Sequence, residues 1–207
     1  MKIRQRETDI VDATRALFDE RGMQDVPIDD IARAVGLSRA LIYRHFSSKE
    51  ELFILTVTRY LAELSVRLDA ASADAADPEE ALEGITSAFC DFSLEYPAFL
   101  DCAISLMRRP ADDLRELVSE AVWLRLGQGM ASCLGVCAAT LEELGVPDPH
   151  FTANHLWSAA LGTMHLARLG VAVSRDERGL PLVQPVEPAE VRAAAIRAAR
   201  AIVSVSA

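Results

Sequence analysis

Cys133 and Cys137 lie four residues apart, so on a helix their thiols share one face and could form a redox pair or supply two metal ligands. No second ligand cluster accompanies them, and His150, His155 and His165 do not fall at a zinc-binding spacing. The plainer expectation is that Cys90, Cys102, Cys133 and Cys137 are reduced, small core residues. The chain shows no nucleophile–base arrangement, no paired Glu-x-x-His motif and no glycine-rich phosphate loop. The sequence therefore predicts no catalytic residues, no metal, no cofactor and no enzyme.

A different chemistry is concentrated between residues 39 and 49. If Ile42 and Phe46 face a core, then Arg39, Ala40, Tyr43 and Arg44 lie on the other side of the same short helix. Arginines there can reach guanine edges or phosphates, and the tyrosine can do either. An exposed tyrosine on so short a helix has little structural reason to be there.

The elements around this segment must position it. Ile28, Ile31, Ala32 and Val35 follow helical spacing and end at Gly36, and Ser38 offers an N-cap for the next helix. The two helices joined by Val35-Gly36-Leu37-Ser38 form a helix-turn-helix candidate, in which the second helix enters the major groove. A helix carrying Ile10, Leu17 and Phe18 precedes them and stops at Gly22. Ser48-Lys49-Glu50-Glu51 reads as a capping box opening a long helix to about Leu68. Beyond it, helices are expected from Pro78, after Pro97, from Asp112 to about Leu144 with a weak point at Gly127 and Gly129, from Asp148-Pro149 to Leu169, and from Pro188 to about Val203. The total is about nine helices. The fold class is all-α: a three-helix helix-turn-helix domain over residues 1–48 and a C-terminal helical domain over 49–207. Residues 171–187 form a long connection with an exposed tip at Asp176–Gly179, and Leu180, Leu182 and Val183 in it argue for packing on the body or on a partner subunit.

A net charge of −10 is unexpected for a chain that meets DNA. Up to residue 50 nine basic residues balance nine acidic ones, so the whole excess falls in residues 51–207. An acidic remainder disfavours nonspecific adhesion to nucleic acid. No apolar run is long enough to span a bilayer, and the charged start Met1-Lys2-Ile3-Arg4-Gln5-Arg6 is not followed by a signal-peptide core, so a cytoplasmic protein without a membrane partner is expected.

The string Gly22-x4-Pro27-Ile28-Asp29-Asp30-Ile31-Ala32-Arg33-Ala34-Val35-Gly36-Leu37-Ser38, continuing Arg39-Ala40-Leu41-Ile42-Tyr43-Arg44-His45-Phe46-Ser47-Ser48-Lys49-Glu50-Glu51-Leu52, resembles the N-terminal domain of the TetR family of bacterial repressors. The likeness covers about residues 8–55 and includes the Tyr-x-His-Phe-x-Ser-Lys-Glu tail. It implies a homodimeric all-α repressor that binds palindromic operator DNA and is released by a small hydrophobic or amphipathic effector. By position it implies that Arg39, Ala40 and Tyr43 face bases, and that Arg44, His45 and Lys49 touch phosphates. Arg4 and Arg6 are expected to add a flexible basic arm. The chain departs from the family at Val26, Pro27 and Leu41, where hydroxyl residues are usual, so phosphate contacts are expected to be fewer and mostly charged.

Dimerisation is expected through the last two helices. Ala159, Ala160, Gly162 and Thr163 in one, and Ala194, Ala195, Ala198 and Ala199 in the other, permit close approach. Phe92, Met107, Trp123, Met130, Trp157 and His165 are the candidate ligand-binding residues, with His165 as a polar contact on nearly the face of Trp157. The lack of obvious buried charge suggests a neutral, largely apolar ligand. Two other readings stay open: a helical interaction protein with a degenerate helix-turn-helix, and a regulator with no small-molecule effector.

Overall fold

The computed structural model describes residues 2–206, with side chains from Gln5 onward. Among the described residues the chain is nearly all-α. The helices are α1 (Lys2–Arg21), α2 (Ile28–Ala34), α3 (Arg39–His45), α4 (Lys49–Ala73), α5 (Pro78–Glu95), α6 (Pro97–Met107), α7 (Ala111–Glu116), α8 (Glu120–Glu143), α9 (Pro149–Leu169) and α10 (Pro188–Ser206). A 3₁₀ turn, Met23–Asp25, follows α1, and an antiparallel hairpin of β1 (Val171–Arg175) and β2 (Pro181–Pro185) joins α9 to α10.

Most helix boundaries follow the local chemistry. Gly22 leaves α1 at a φ of +82°, a conformation that costs glycine little. The Asp148 carboxylate accepts from the Phe151 N–H at 3.0 Å, with Pro149 in the first turn of α9. Three expectations are corrected. α1 already begins at Lys2, so the basic start is helical rather than a flexible arm; Arg6 is exposed on that helix, and the side chain of Arg4 lies outside the described residues. α4 continues past Leu68 to Ala73, because its alanines tolerate a helix and Pro78 is the first strong breaker. The helix expected from Asp112 splits at Leu117–Ser119, whereas Gly127 and Gly129 leave α8 unbroken.

The hairpin replaces the expected irregular connection. Gly170 ends α9 at a φ of +69°, and β-branched Val171, Val173 and Val183 favour strand. At the tip the Asp176 carboxylate accepts from the Arg178 N–H at 2.9 Å and the Leu180 N–H at 2.8 Å, while Gly179 takes a φ of +78°. Leu180, Leu182 and Val183 remain exposed rather than packed on their own chain.

Packing divides the chain differently from the division by task expected at residue 48. One compact unit comprises Met1–Glu63 with Tyr96–Ser132, and the other Leu64–Glu95 with Cys133–Ala207. In the first, Ile10, Phe18, Ile31, Ile42, Phe46 and Leu52 are buried. Arg15 lies over the Tyr60 ring at 4.4 Å and the Tyr96 ring at 4.8 Å, and its guanidinium meets Glu63 at 2.5 Å. The Tyr60 hydroxyl donates to Asp19 at 2.6 Å, and burial followed by that bond pushes its pKa up. In the second unit α10 packs on α9 and α5, around a core of Leu82, Cys137, Ala138, Leu141, Val146, Ala153, Leu156 and Ala199. Ion pairs Arg200–Glu83 and Arg192–Asp91 tie α10 to α5.

Candidate nucleic-acid interface and cavity

Gly36, at a φ of +66°, makes the turn between α2 and α3. The Ser38 hydroxyl then accepts from the Leu41 N–H at 3.3 Å and starts α3. α2 has no such cap. Pro27 occupies the N-cap itself in extended conformation, and Val26 is buried.

α3 is sharply two-sided. Ile42 and the following Phe46 are 0% and 2% exposed, while Leu41 and Tyr43 are 36% and 39% exposed. Arg39, Ala40 and Arg44 share the exposed side, and His45 is half-buried. Arg39 lies 5.7 Å from the centre of the Tyr43 ring and 3.7 Å from Asp29, a weak exposed pair that leaves the guanidinium available. Arg44 and Lys49 make no ion pair among the described residues. The six DNA-binding candidates thus fall on one short stretch, α3 and the first residue of α4.

The start of α4 is anchored with unusual density. The Ser48 hydroxyl accepts from the Glu51 N–H at 3.0 Å and donates to the Leu117 carbonyl at 3.1 Å. Glu51 is buried, and its carboxylate accepts from the Ser47 N–H (2.6 Å), the Ser47 hydroxyl (2.7 Å) and the Ser119 hydroxyl (2.6 Å). The expected capping box is therefore shifted: Glu51 returns to Ser47, not to Ser48. Burial alone raises the Glu51 pKa, but the bonds from Ser119 and Ser47 outweigh it and hold the carboxyl below its ordinary range.

In the second unit a narrow cavity lies among α5, α8, α9 and α10. Phe89 and Trp157 line it in edge-to-face contact at 5.1 Å, and Leu82, Ile85, Leu156 and Ile202 add to its apolar walls. Besides the Trp157 indole, its polar side chains are Thr86, Thr163, Cys133 and Cys137, and no charged side chain lines it. Both threonine hydroxyls donate to their own helix, to Leu82 at 2.7 Å and Ala159 at 2.9 Å, and so offer only acceptor capacity inward. Burial pushes the Cys133 thiol up to about 12 and the Cys137 thiol up to about 11, so both are protonated, weak donors.

Of the six ligand candidates named from sequence, Trp157 lines this cavity. Phe92 is fully buried beneath Arg67, whose guanidinium sits 5.0 Å from its ring. His165 is exposed on α9. Its offset of eight residues from Trp157 turns it about 80° away. Met107, Trp123 and Met130 belong to the first unit, with Met107 58% exposed. Ala159, Ala160, Ala195, Ala198 and Ala199, expected to permit close helix approach, line the cavity. Thr86 carries no mark in the sequence beyond its helical spacing from Phe89, and Thr163, expected on the dimer face, lines the cavity beside Ala160.

Residues 10–55 match the family described as bacterial regulatory proteins, TetR family. The transcriptional activator FasR of Mycolicibacterium smegmatis is 32% identical over 80 residues, 39% of this chain and 36% of its own length. The transcriptional repressor NicS of Pseudomonas putida is 29% identical over 119 residues, 55% of this chain and 56% of its own. The chain thus spans between about a third and just over half the length of these relatives. Among solved structures, a TetR-family transcriptional regulator from Streptomyces coelicolor superposes with a TM-score of 0.67 at 21% identity, covering 100% of this chain and 83% of that one. RolR in complex with resorcinol gives 0.65 at 18% identity, covering 98% and 95%. The segment matched by the TetR-family description carries the two-sided α3, and the fold shared with these solved regulators extends over the remainder of the chain.

Proposed function

We propose that the protein is a ligand-responsive transcriptional regulator that represses by binding a palindromic operator as a homodimer. The observation that carries this reading is the division of α3, with Ile42 and Phe46 buried and Arg39, Ala40, Leu41, Tyr43 and Arg44 outward. Arg39, Ala40 and Tyr43 face base edges, and Leu41 meets a thymine methyl. Arg44, His45 and Lys49 hold phosphates, Lys49 from the start of α4, where the helix dipole favours an anion. Residues 1–48 carry the DNA-binding task and 49–207 the effector and dimer tasks. Relatives include one named a repressor and one named an activator; repression is the reading tested first.

The effector site is the cavity of the second unit. Apolar walls, hydroxyl acceptors, protonated thiols and no charge suit a small neutral molecule with a donor group, such as a phenol. RolR, which shares the fold, holds resorcinol. Dimerisation uses outward surface of α9 and α10, where Phe151 is 70%, Leu169 56% and Val205 88% exposed.

An electrophoretic shift with the DNA upstream of the protein's own gene tests the reading. A shift that Lys49→Ala weakens, and that a neutral phenol reverses, is expected. No shift at low salt, or a shift indifferent to Lys49→Ala, overturns the DNA assignment.

A further inference from the structure

The β1–β2 hairpin has one guarded edge and one open edge. Asp176 donates its N–H to the Leu180 carbonyl at 2.9 Å and Val186 donates to Gly170 at 3.1 Å, which fixes the even-numbered residues of β1 as the hydrogen-bonded positions. Because such positions alternate along an antiparallel pair, the N–H and C=O groups of Val171, Val173 and Arg175 point away from β2. On β2 the outward positions are their register partners Pro185, Val183 and Pro181. Two of those three are prolines, which have no N–H to offer another strand. β1 carries no such block, and Val173 is 74% exposed, so its own chain does not cover it. A lone two-stranded hairpin is only marginally stable in water and gains from a further strand.

We propose that β1 pairs antiparallel with β1 of a second copy of this chain, centred on Val173, to form a continuous four-stranded sheet across the two-fold axis. This rests on the homodimer proposed above and adds to it a specific contact. Val173 faces the partner's Val173, and Val171 and Arg175 face the partner's Arg175 and Val171, each pair exchanging N–H···O bonds. The charges favour the same partner. Each chain carries −10, yet Arg175, Asp176, Glu177 and Arg178 cancel, so two copies meet here without the repulsion felt elsewhere. The apolar faces of both hairpins, each with Val171, Val173 and Val183, fall on one side of the joined sheet.

Paired edge residues of this kind sit about 5.5 Å apart at Cα. That separation lies within disulfide reach. Val173→Cys is expected to give an interchain disulfide under mild oxidation, while the four native cysteines are buried and Val183→Cys on the guarded edge gives none. In sedimentation equilibrium Val173→Pro, which removes an outward N–H but no β1–β2 bond, should raise the dimer dissociation constant at least about tenfold. Val183→Pro should leave it nearly unchanged. A dimer indifferent to Val173→Pro, or one cross-linked through Val183→Cys instead, overturns the strand pairing and leaves the α9–α10 dimer standing. A wild-type chain that is monomeric at the highest concentration reached overturns both.

Discussion

The Ser119 hydroxyl donates to the Glu51 carboxylate at 2.6 Å, joining the residue before α8 to the first turn of α4. Glu51 stands only a few residues beyond the candidate recognition helix. The latch therefore orients Lys49 through backbone it shares with α4.

Loss of that bond leaves a buried carboxylate one donor short. Ser119→Ala is expected to destabilise the protein by about 1–3 kcal/mol, measured by urea unfolding at neutral pH. The folded Glu51 pKa lies below its unfolded value, so the stabilisation is complete above about pH 4.3 and is lost as pH falls through the folded pKa. The difference between wild type and Ser119→Ala should therefore shrink under acid conditions. A gap that widens there contradicts the assignment.

Phosphate contacts are expected to show in salt dependence. Removal of one contact by Lys49→Ala should flatten the slope of log K against log salt by about 0.9, with weaker binding to every sequence. Arg39→Ala, facing bases, should cost about 1–3 kcal/mol at its cognate base pair and relax specificity there. Filter binding across a salt series, on cognate and substituted operators, separates the two effects.

The two tryptophans report on different places. Trp157 lines the cavity against Phe89 and Trp123 lies in the other unit, so quenching by a bound neutral phenol should vanish in Trp157→Phe and persist in Trp123→Phe. Quenching that follows Trp123 instead would place the ligand elsewhere.

Two glycines of α8 should respond with opposite signs. An added Cβ at Gly127 meets open space, so Gly127→Ala should stabilise by about 0.5–1 kcal/mol through helix propensity. At Gly129 the Cβ would lie 3.2 Å and 3.3 Å from Leu61 side-chain atoms, beneath a buried residue. There the crowding should exceed the helix gain, for a net loss of about 1 kcal/mol in thermal or urea unfolding.

The helix-turn-helix was legible because its signals are local: Gly36 needs its turn, Ser38 its cap, and the spacing of Ile42 and Phe46 settles which side Tyr43 occupies. Helix ends marked by Pro97, Pro149 and Pro188 were legible for the same reason. The cavity was not. Trp157 and Thr86 are brought together by packing between helices far apart in sequence, and neither His165 nor Met107 carries a local mark of its exposure. The hairpin was concealed by its prolines, which read as loop residues. They stand in β2 only because its outward positions need no N–H.

Those prolines also decide how far association can run. A strand with two free edges can recruit copy after copy, which is how fibres grow. With Pro181 and Pro185 closing β2, the sheet can extend through β1 alone, and its first partner leaves nothing further to extend. Assembly by this route ends at two, the closed count that the proposed homodimer on a palindromic operator requires.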